Sequence, residues 1–137
     1  MKNQSIPQLR KKLTRVFNEY IRLRDKDKGC ISCGQAQIKH AGHYFSTSQC
    51  PQGAMRFNET NVNGQCVRCN SFLEGNRQGY REGLIKRYGP HVIENLDICR
   101  SLKQEPWLKW QYETLIRQYK HKIKLFNDEK KGPKDAS

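Results

Sequence analysis

Apolar residues recur at helical spacing near the start of the chain. Ser5 is a typical N-cap residue, Pro7 suits a first helical turn, and Gly29 ends the pattern. We therefore predict an amphipathic helix over about residues 7–27. Its apolar stripe consists of Leu9, Leu13, Val16, Phe17, Tyr20 and Ile21.

Three further helical patterns occupy the second half of the chain. One covers residues 77–88 and stops at Gly89, a second follows from Val92, and Pro106 opens the third. The tail over residues 127–137 has little apolar surface to bury, and we expect it to be disordered. The last helix carries an apolar stripe, expected in the core together with Trp107 and Trp110, that consists of Leu108, Tyr112, Leu115, Ile116, Tyr119, Ile123 and Phe126.

The segment between these helices alternates between strand-like and polar stretches. Residues 37–45 suit a strand, residues 46–53 a polar tip and residues 54–57 a short returning strand, which together predict a hairpin. Residues 58–63 then suit an irregular loop. A short helix is expected from about Cys69.

Two Cys-x-x-Cys pairs frame this segment. Tight turns that each supply two thiolates are typical of a closed tetrahedral zinc site, and we favour structural zinc over a set of disulfides. We interpret Cys50 and Cys99 as free thiols, since four sulfurs already close the site. The predicted zinc ligands are Cys30, Cys33, Cys66 and Cys69.

Charge points to a polyanionic partner. The 137-residue chain has 26 Lys and Arg against 13 Asp and Glu, a formal net charge of +13, and nucleic acid is the first expectation. No run is long and apolar enough for a membrane span or a signal peptide, so we expect a cytoplasmic location. The basic residues of the first helix are interpreted as a phosphate-binding face, and the alternative is an ordinary solvent-exposed face. The candidate DNA-binding residues there are Arg10, Lys11, Arg15, Arg22 and Arg24.

The residues between the cysteine pairs suit phosphodiester hydrolysis. This reaction needs a base to activate water and a divalent cation, such as Mg²⁺ or Mn²⁺, to stabilise charge on the phosphate. His43 on the predicted hairpin is placed for the first role and Asn70, next to the second cysteine pair, for the second. Asn61 is a candidate to orient the imidazole through its side-chain carbonyl. A structural hydrogen-bonding role is the alternative for His43.

The order of these residues resembles the HNH nucleases, which have the ββα-metal fold. Over residues 16–90 the sequence also resembles the NinG (Rap) recombination proteins of lambdoid phages, in the segments IRLRDKDKGCISCG, AGHYFS and RFNETNVNGQCVRCN. The resemblance implies a structure-specific endonuclease acting on branched DNA such as Holliday junctions and D-loops in the cytoplasm of the bacterial host. It also implies an α+β fold with a zinc-stapled treble-clef core at residues 30–76. We expect one domain over residues 1–126, with helices flanking this core at about 7–27 and 77–126.

One position departs from the HNH pattern. Many of these enzymes place a metal ligand directly before the base, where this chain has Gly42. His40 is our first candidate to supply that ligand, ahead of Glu74 and Asn76. A non-catalytic zinc-containing DNA-binding protein and a zinc-dependent protein adaptor stay open as alternatives. Symmetric junction cleavage would call for a homodimer, for which the stripe of the last helix is the expected surface.

Overall fold

The computed structural model describes residues 3–35, 37–49 and 53–131. Within this part of the chain, no helix combines the length and apolar character needed to cross a bilayer. The elements are mostly helical, with one small antiparallel sheet. In chain order they are α1 (Ile6–Asp25), β1 (His40–His43), α2 (Gly53–Arg56), β2 (Val62–Gln65), a π-helical turn (Arg68–Phe72) that we call the knuckle helix, α3 (Arg77–Tyr88), α4 (Val92–Ser101) and α5 (Lys109–Lys131).

Helix α1 begins as predicted. The Ser5 hydroxyl accepts from the Gln8 amide and the Gln8 side chain accepts from the Ser5 amide, which is a complete capping box. The apolar stripe of α1 is buried against α5, where Phe17 meets Tyr119 edge to face at 5.0 Å between ring centroids. Because the aromatic stripe of α5 is used in this way, it is not the free dimer surface that the sequence suggested.

A second apolar cluster lies around the first cysteine turn and joins it to α3 and α4. Its centre is Tyr80 and Leu84 of α3, which contact Ile31 of the turn and Leu96 of α4. A Cβ on Gly83 would collide with the Ile31 carbonyl oxygen, so glycine lets α3 approach the turn backbone directly. The cysteine turn is therefore packed into the fold as well as available for a metal.

The sheet differs from the predicted hairpin. Strand β1 pairs with β2, with His40 opposite Gln65 and His43 opposite Val62, whereas residues 54–57 lie in and after the short helix α2. Residues 62–65 were expected partly in a loop because the sequence VNGQ lacks an apolar alternation. All four are buried nevertheless, since each polar side chain finds hydrogen-bond partners within the fold.

The C-terminal helices follow their sequence signals more closely. Helix α3 has its predicted bounds, 77–88, and α5 starts at Lys109 rather than directly after Pro106. The chain is helical through Lys131, so the predicted disordered tail is wrong for residues 127–131, while residues 132–137 lie outside the described residues. Trp107 stacks on Phe57 in the core as expected, but Trp110 is 62% exposed.

A buried ion pair connects α1 to the sheet. Arg24 donates to both carboxylate oxygens of Asp25 at 2.7 and 2.8 Å and to the Val62 carbonyl oxygen at 3.0 Å. The Gly64 amide donates to Asp25 at 2.8 Å. Burial raises the pKa of Asp25, but the hydrogen bonds from Arg24 and Gly64 outweigh it and hold the pKa below its ordinary value.

We predict that Asp25→Ala strongly destabilises the protein. The substitution leaves Arg24 largely buried without its carboxylate, which costs roughly 3–5 kcal/mol of the free energy of unfolding. Urea unfolding of the zinc-loaded protein measures this loss. The control is Asp27→Ala at an exposed position just beyond α1, expected within about 0.5 kcal/mol of the unmodified protein. A loss below about 1 kcal/mol for Asp25→Ala would contradict the proposed importance of the pair.

Candidate active site and metal centre

The four paired cysteines form one cluster. Cys30 and Cys33 lie in the turn after α1, Cys66 directly follows β2, and Cys69 lies in the knuckle helix. Their Sγ atoms all lie within 4.8 Å of one another, with 3.7 Å between those of Cys33 and Cys66. A tetrahedral zinc with Zn–S bonds of about 2.3 Å separates its sulfurs by about 3.8 Å. The cysteines are thus positioned to bind a metal ion, consistent with structural zinc.

Hydrogen bonds reach two sulfurs of the cluster. The Cys69 amide donates to Cys66 Sγ at 3.4 Å, and the Asn76 side chain donates to Cys69 Sγ at 3.4 Å. Burial raises the pKa of Cys66, but the Cys69 amide and the neighbouring thiols lower it to about 7. Burial and the neighbouring thiols raise the pKa of Cys69 to about 12, although the Asn76 donor lowers it. Asn76 also caps α3, so it supports the cysteine cluster and is not placed for a second metal site.

His43 ends β1 and is held in one orientation. Its Nε2 lies 2.8 Å from the carbonyl oxygen of Arg56 at the end of α2. Because a carbonyl only accepts, Nε2 carries the proton and Nδ1 keeps the lone pair. Burial is the main reason that the pKa of His43 is lowered, and the Arg56 charge lowers it further although the hydrogen bond raises it. The imidazole is therefore neutral near pH 7 with a basic nitrogen available.

Asn61 does not orient His43, contrary to the sequence-based prediction. Its fully buried carboxamide bonds the backbone of Phe45 in both directions, at 2.8 and 3.1 Å, and donates to the Met55 carbonyl oxygen at 3.2 Å. These contacts join the segment after β1 to the end of α2. Asn61 thus fixes the loop that presents the Arg56 carbonyl, and acts on His43 only through the backbone.

Asn70 and His40 lie on the other side of β1 from His43. A Cβ on Gly42 would lie 3.2 Å from Asn70 Oδ1, which places the Asn70 side chain over the residue that precedes His43. Strand alternation puts His40 on the same face as Gly42. Among the described residues, neither the Asn70 nor the His40 side chain makes a hydrogen bond. Glu74 is exposed beyond the knuckle helix.

The basic residues of α1 divide into two groups. Lys11, Arg15 and Arg22 are exposed and available to a partner. Arg10 is half-buried, with its guanidinium 6.0 Å from the ring centroid of Tyr112. Arg24, with a side chain only 13% exposed, is committed to Asp25 and the sheet backbone, which favours a structural role over the predicted contact with DNA.

Three groups that support the site were missed by sequence reasoning. The Arg56 carbonyl is a backbone atom and leaves no signal in the residue type. The buried Tyr80 hydroxyl donates to the Gly42 carbonyl oxygen at 2.6 Å, and its aromatic residue type indicated only core packing. Gln65 is also buried, directly before the second cysteine pair, and a glutamine at that position carries no sequence signal of burial.

Comparison with known proteins identifies the family. The family model described as Bacteriophage Lambda NinG protein matches residues 2–129. The chain belongs to the NinG family. It is 35% identical over 120 residues to Protein ninG of Salmonella phage P22, covering 86% of this chain and 57% of that protein. Identity to Protein ninG of Escherichia phage lambda is 35% over 116 residues, covering 83% and 55%.

The match to NinG relatives does not extend over their whole length. Protein ninG of Escherichia phage 933W, 34% identical over 116 residues, is covered over 56% of its length. The chain thus spans somewhat more than half the length of these curated NinG relatives. No solved structure is significantly similar to the chain. Membership of the NinG family is confirmed, while the nuclease activity that the resemblance implies stays a prediction.

We predict that the cysteine cluster holds one zinc per chain and that Cys66→Ser loses both zinc and folded structure, since metal binding and folding are coupled in such sites. Elemental analysis and circular dichroism of freshly purified protein measure the two effects. Cys99→Ser is the matched control, because Cys99 is a half-buried thiol of α4 outside the cluster. Folded unmodified protein without zinc would refute the assignment.

Proposed function

We propose that this NinG-family chain is an HNH-type, metal-dependent endonuclease that cuts branched recombination intermediates, such as Holliday junctions and D-loops, in the cytoplasm of the bacterial host. The observation that carries the proposal is the position of a buried, neutral His43 beside Gly42, where the Asn70 side chain converges from the knuckle helix. The order β1, β2 and knuckle helix, stapled by the cysteine cluster, is consistent with a ββα-metal core.

His43 is suited to act as the general base. Its Nδ1 accepts a proton from the attacking water, while Nε2 keeps its hydrogen bond to the Arg56 carbonyl oxygen. The positive charge that develops on the imidazole is then stabilised by this carbonyl dipole. The lowered pKa keeps the base unprotonated at neutral pH, so no proton has to be removed from it before reaction.

Residues on the opposite face of β1 fit a divalent cation. Asn70 Oδ1 is an oxygen ligand of the kind that Mg²⁺ and Mn²⁺ prefer, and His40 adds an imidazole on the same strand face. When bound, such a cation stabilises negative charge on the phosphate and the leaving oxygen.

DNA binding is supported by charge and exposure. The net charge of +13 provides long-range attraction to the phosphate backbone, and the exposed Lys11, Arg15 and Arg22 of α1 provide local contacts. Arg10 contributes at the edge of this face. Backbone contacts of this kind favour shape over base sequence. Cutting both strands of a four-way junction symmetrically requires two active sites, so we also propose a homodimer whose contact lies outside the buried stripe of α5.

We predict that His43→Ala abolishes cutting but preserves binding. Loss of the general base lowers the single-turnover rate on a labelled four-way junction by roughly 10²–10⁴-fold. Junction affinity stays within about twofold because the base acts only in the chemical step. His91→Ala, at a highly exposed histidine before α4, is the control and keeps the parental rate.

Two outcomes of this experiment would reject the assignment. A His43→Ala protein that cuts at the parental rate would exclude His43 as the base. Unmodified zinc-loaded protein that binds the junction but does not cut it with Mg²⁺ or Mn²⁺ would instead favour the non-catalytic DNA-binding protein.

We predict that the combined substitutions Lys11→Glu, Arg15→Glu and Arg22→Glu weaken binding to junction and linear duplex alike. Each lost phosphate contact reduces the slope of log affinity against log salt by about 0.9. Fluorescence anisotropy over a salt series measures the slope. The control changes Arg81, Lys86 and Lys103 to Glu, which alters net charge equally at exposed positions outside α1. Equal effects of the two sets would refute a DNA-binding face on α1.

A further inference from the structure

The carboxamide of Gln65 is fixed beneath Gly42. Gln65 ends β2 and is 1% exposed, and its Nε2 donates to the Ser32 hydroxyl oxygen and the Gly75 carbonyl oxygen, both at 2.8 Å. Because the Gly75 carbonyl only accepts, these bonds determine which end of the amide is nitrogen. The opposite end, Oε1, then points at Gly42, where a Cβ would collide with it.

Gln65 Oε1 has no partner of its own. Among the described residues it accepts no hydrogen bond, although the side chain around it is buried. An amide oxygen without a partner in the described residues can accept from water or bind a cation. Asn70 Oδ1 converges on the same place, because both oxygens lie within 3.2 Å of the point that a Gly42 Cβ would occupy.

We propose that Gln65 Oε1 is a ligand of the divalent cation and replaces the ligand that many HNH enzymes carry at the position of Gly42. The proposal rests on the proposed function and extends its metal site to a residue of β2. Gly42 is required because any side chain there would displace the Gln65 oxygen. His40, directly opposite Gln65 in the sheet, lies on the same sheet face and completes the proposed set of neutral ligands.

The neutrality of this ligand set has a consequence for metal binding. Gln65, Asn70 and His40 contribute no negative charge, so the free protein binds Mg²⁺ or Mn²⁺ weakly. A DNA phosphate supplies the missing charge and oxygen ligands, and the cation and DNA therefore bind cooperatively. By linkage, the metal strengthens DNA binding by the same factor.

The first experiment uses the zinc-loaded His43→Ala protein, which prevents cutting, with a synthetic four-way junction. Mn²⁺ binding, followed by the electron paramagnetic resonance signal of free Mn²⁺, is expected to be at least tenfold tighter with the junction than without it. Gln65→Met, which keeps the length of the side chain but removes Oε1, is expected to weaken Mn²⁺ binding by the complex at least about tenfold. Ser32→Ala is the matched control, since it removes one anchor of Nε2 but keeps Oε1.

The second experiment needs no substitution at Gln65 and covers the case in which Gln65→Met fails to fold. In ¹⁵N spectra of the same complex, diamagnetic Mg²⁺ is expected to shift the side-chain amide signals of Gln65 and Asn70, whose oxygens it binds, and to leave that of exposed Gln78 on α3 in place. Unchanged Gln65 signals, or a folded Gln65→Met protein that binds Mn²⁺ within twofold of the parent, would overturn the inference. Junction cutting by the unmodified protein, measured separately, decides the proposed function.

Discussion

A two-stranded sheet with four residues in each strand is marginal by itself, yet it positions His40, His43 and Gln65 of the candidate site. The fold compensates by fixing this sheet at several points. Cys66 ties the end of β2 to the cysteine cluster, and Asp25 holds the Gly64 amide from α1. Tyr80 binds the Gly42 carbonyl from α3. Because these contacts come from different elements, the sheet geometry depends on the whole domain being folded.

The parts of this fold that the sequence predicts are those with local signals. The capping box at Ser5, the stop at Gly89 and the spacing of the cysteine pairs each depend on residues close together in the chain, and each has the predicted outcome. Strand β2 has no such signal. Asn63 is buried there with hydrogen bonds to Arg24, Tyr80 and Tyr88 of distant elements, besides one to the nearby Thr60 carbonyl oxygen. Its strand state is a property of tertiary contacts.

The candidate site is likewise predictable only where local sequence signals exist. Residue type and order in the sequence predict His43 and Asn70 as site residues, and the fold places both next to Gly42. The partner of His43 was not predictable, since the Arg56 carbonyl could belong to any residue type. For Asn61 the sequence suggested a direct contact with His43, because this asparagine lies between two motif residues. Its two-sided bonding to Phe45 instead makes it a brace for the loop.

Gly42 links packing and chemistry at one position. A ligand side chain there would need the space that the Gln65 carboxamide fills, so position 42 and Gln65 cannot both carry a ligand. Instead of an exposed side chain at position 42, the chain has the buried amide of Gln65, which two hydrogen bonds hold in place. Such an amide is pre-organised, since its rotamer is already fixed by Ser32 and Gly75. In the proposed metal site, a rigid neutral ligand leaves the charge balance to the bound phosphate. A cation retained mainly in the presence of DNA suits the proposed endonuclease, because its chemistry has to await its substrate.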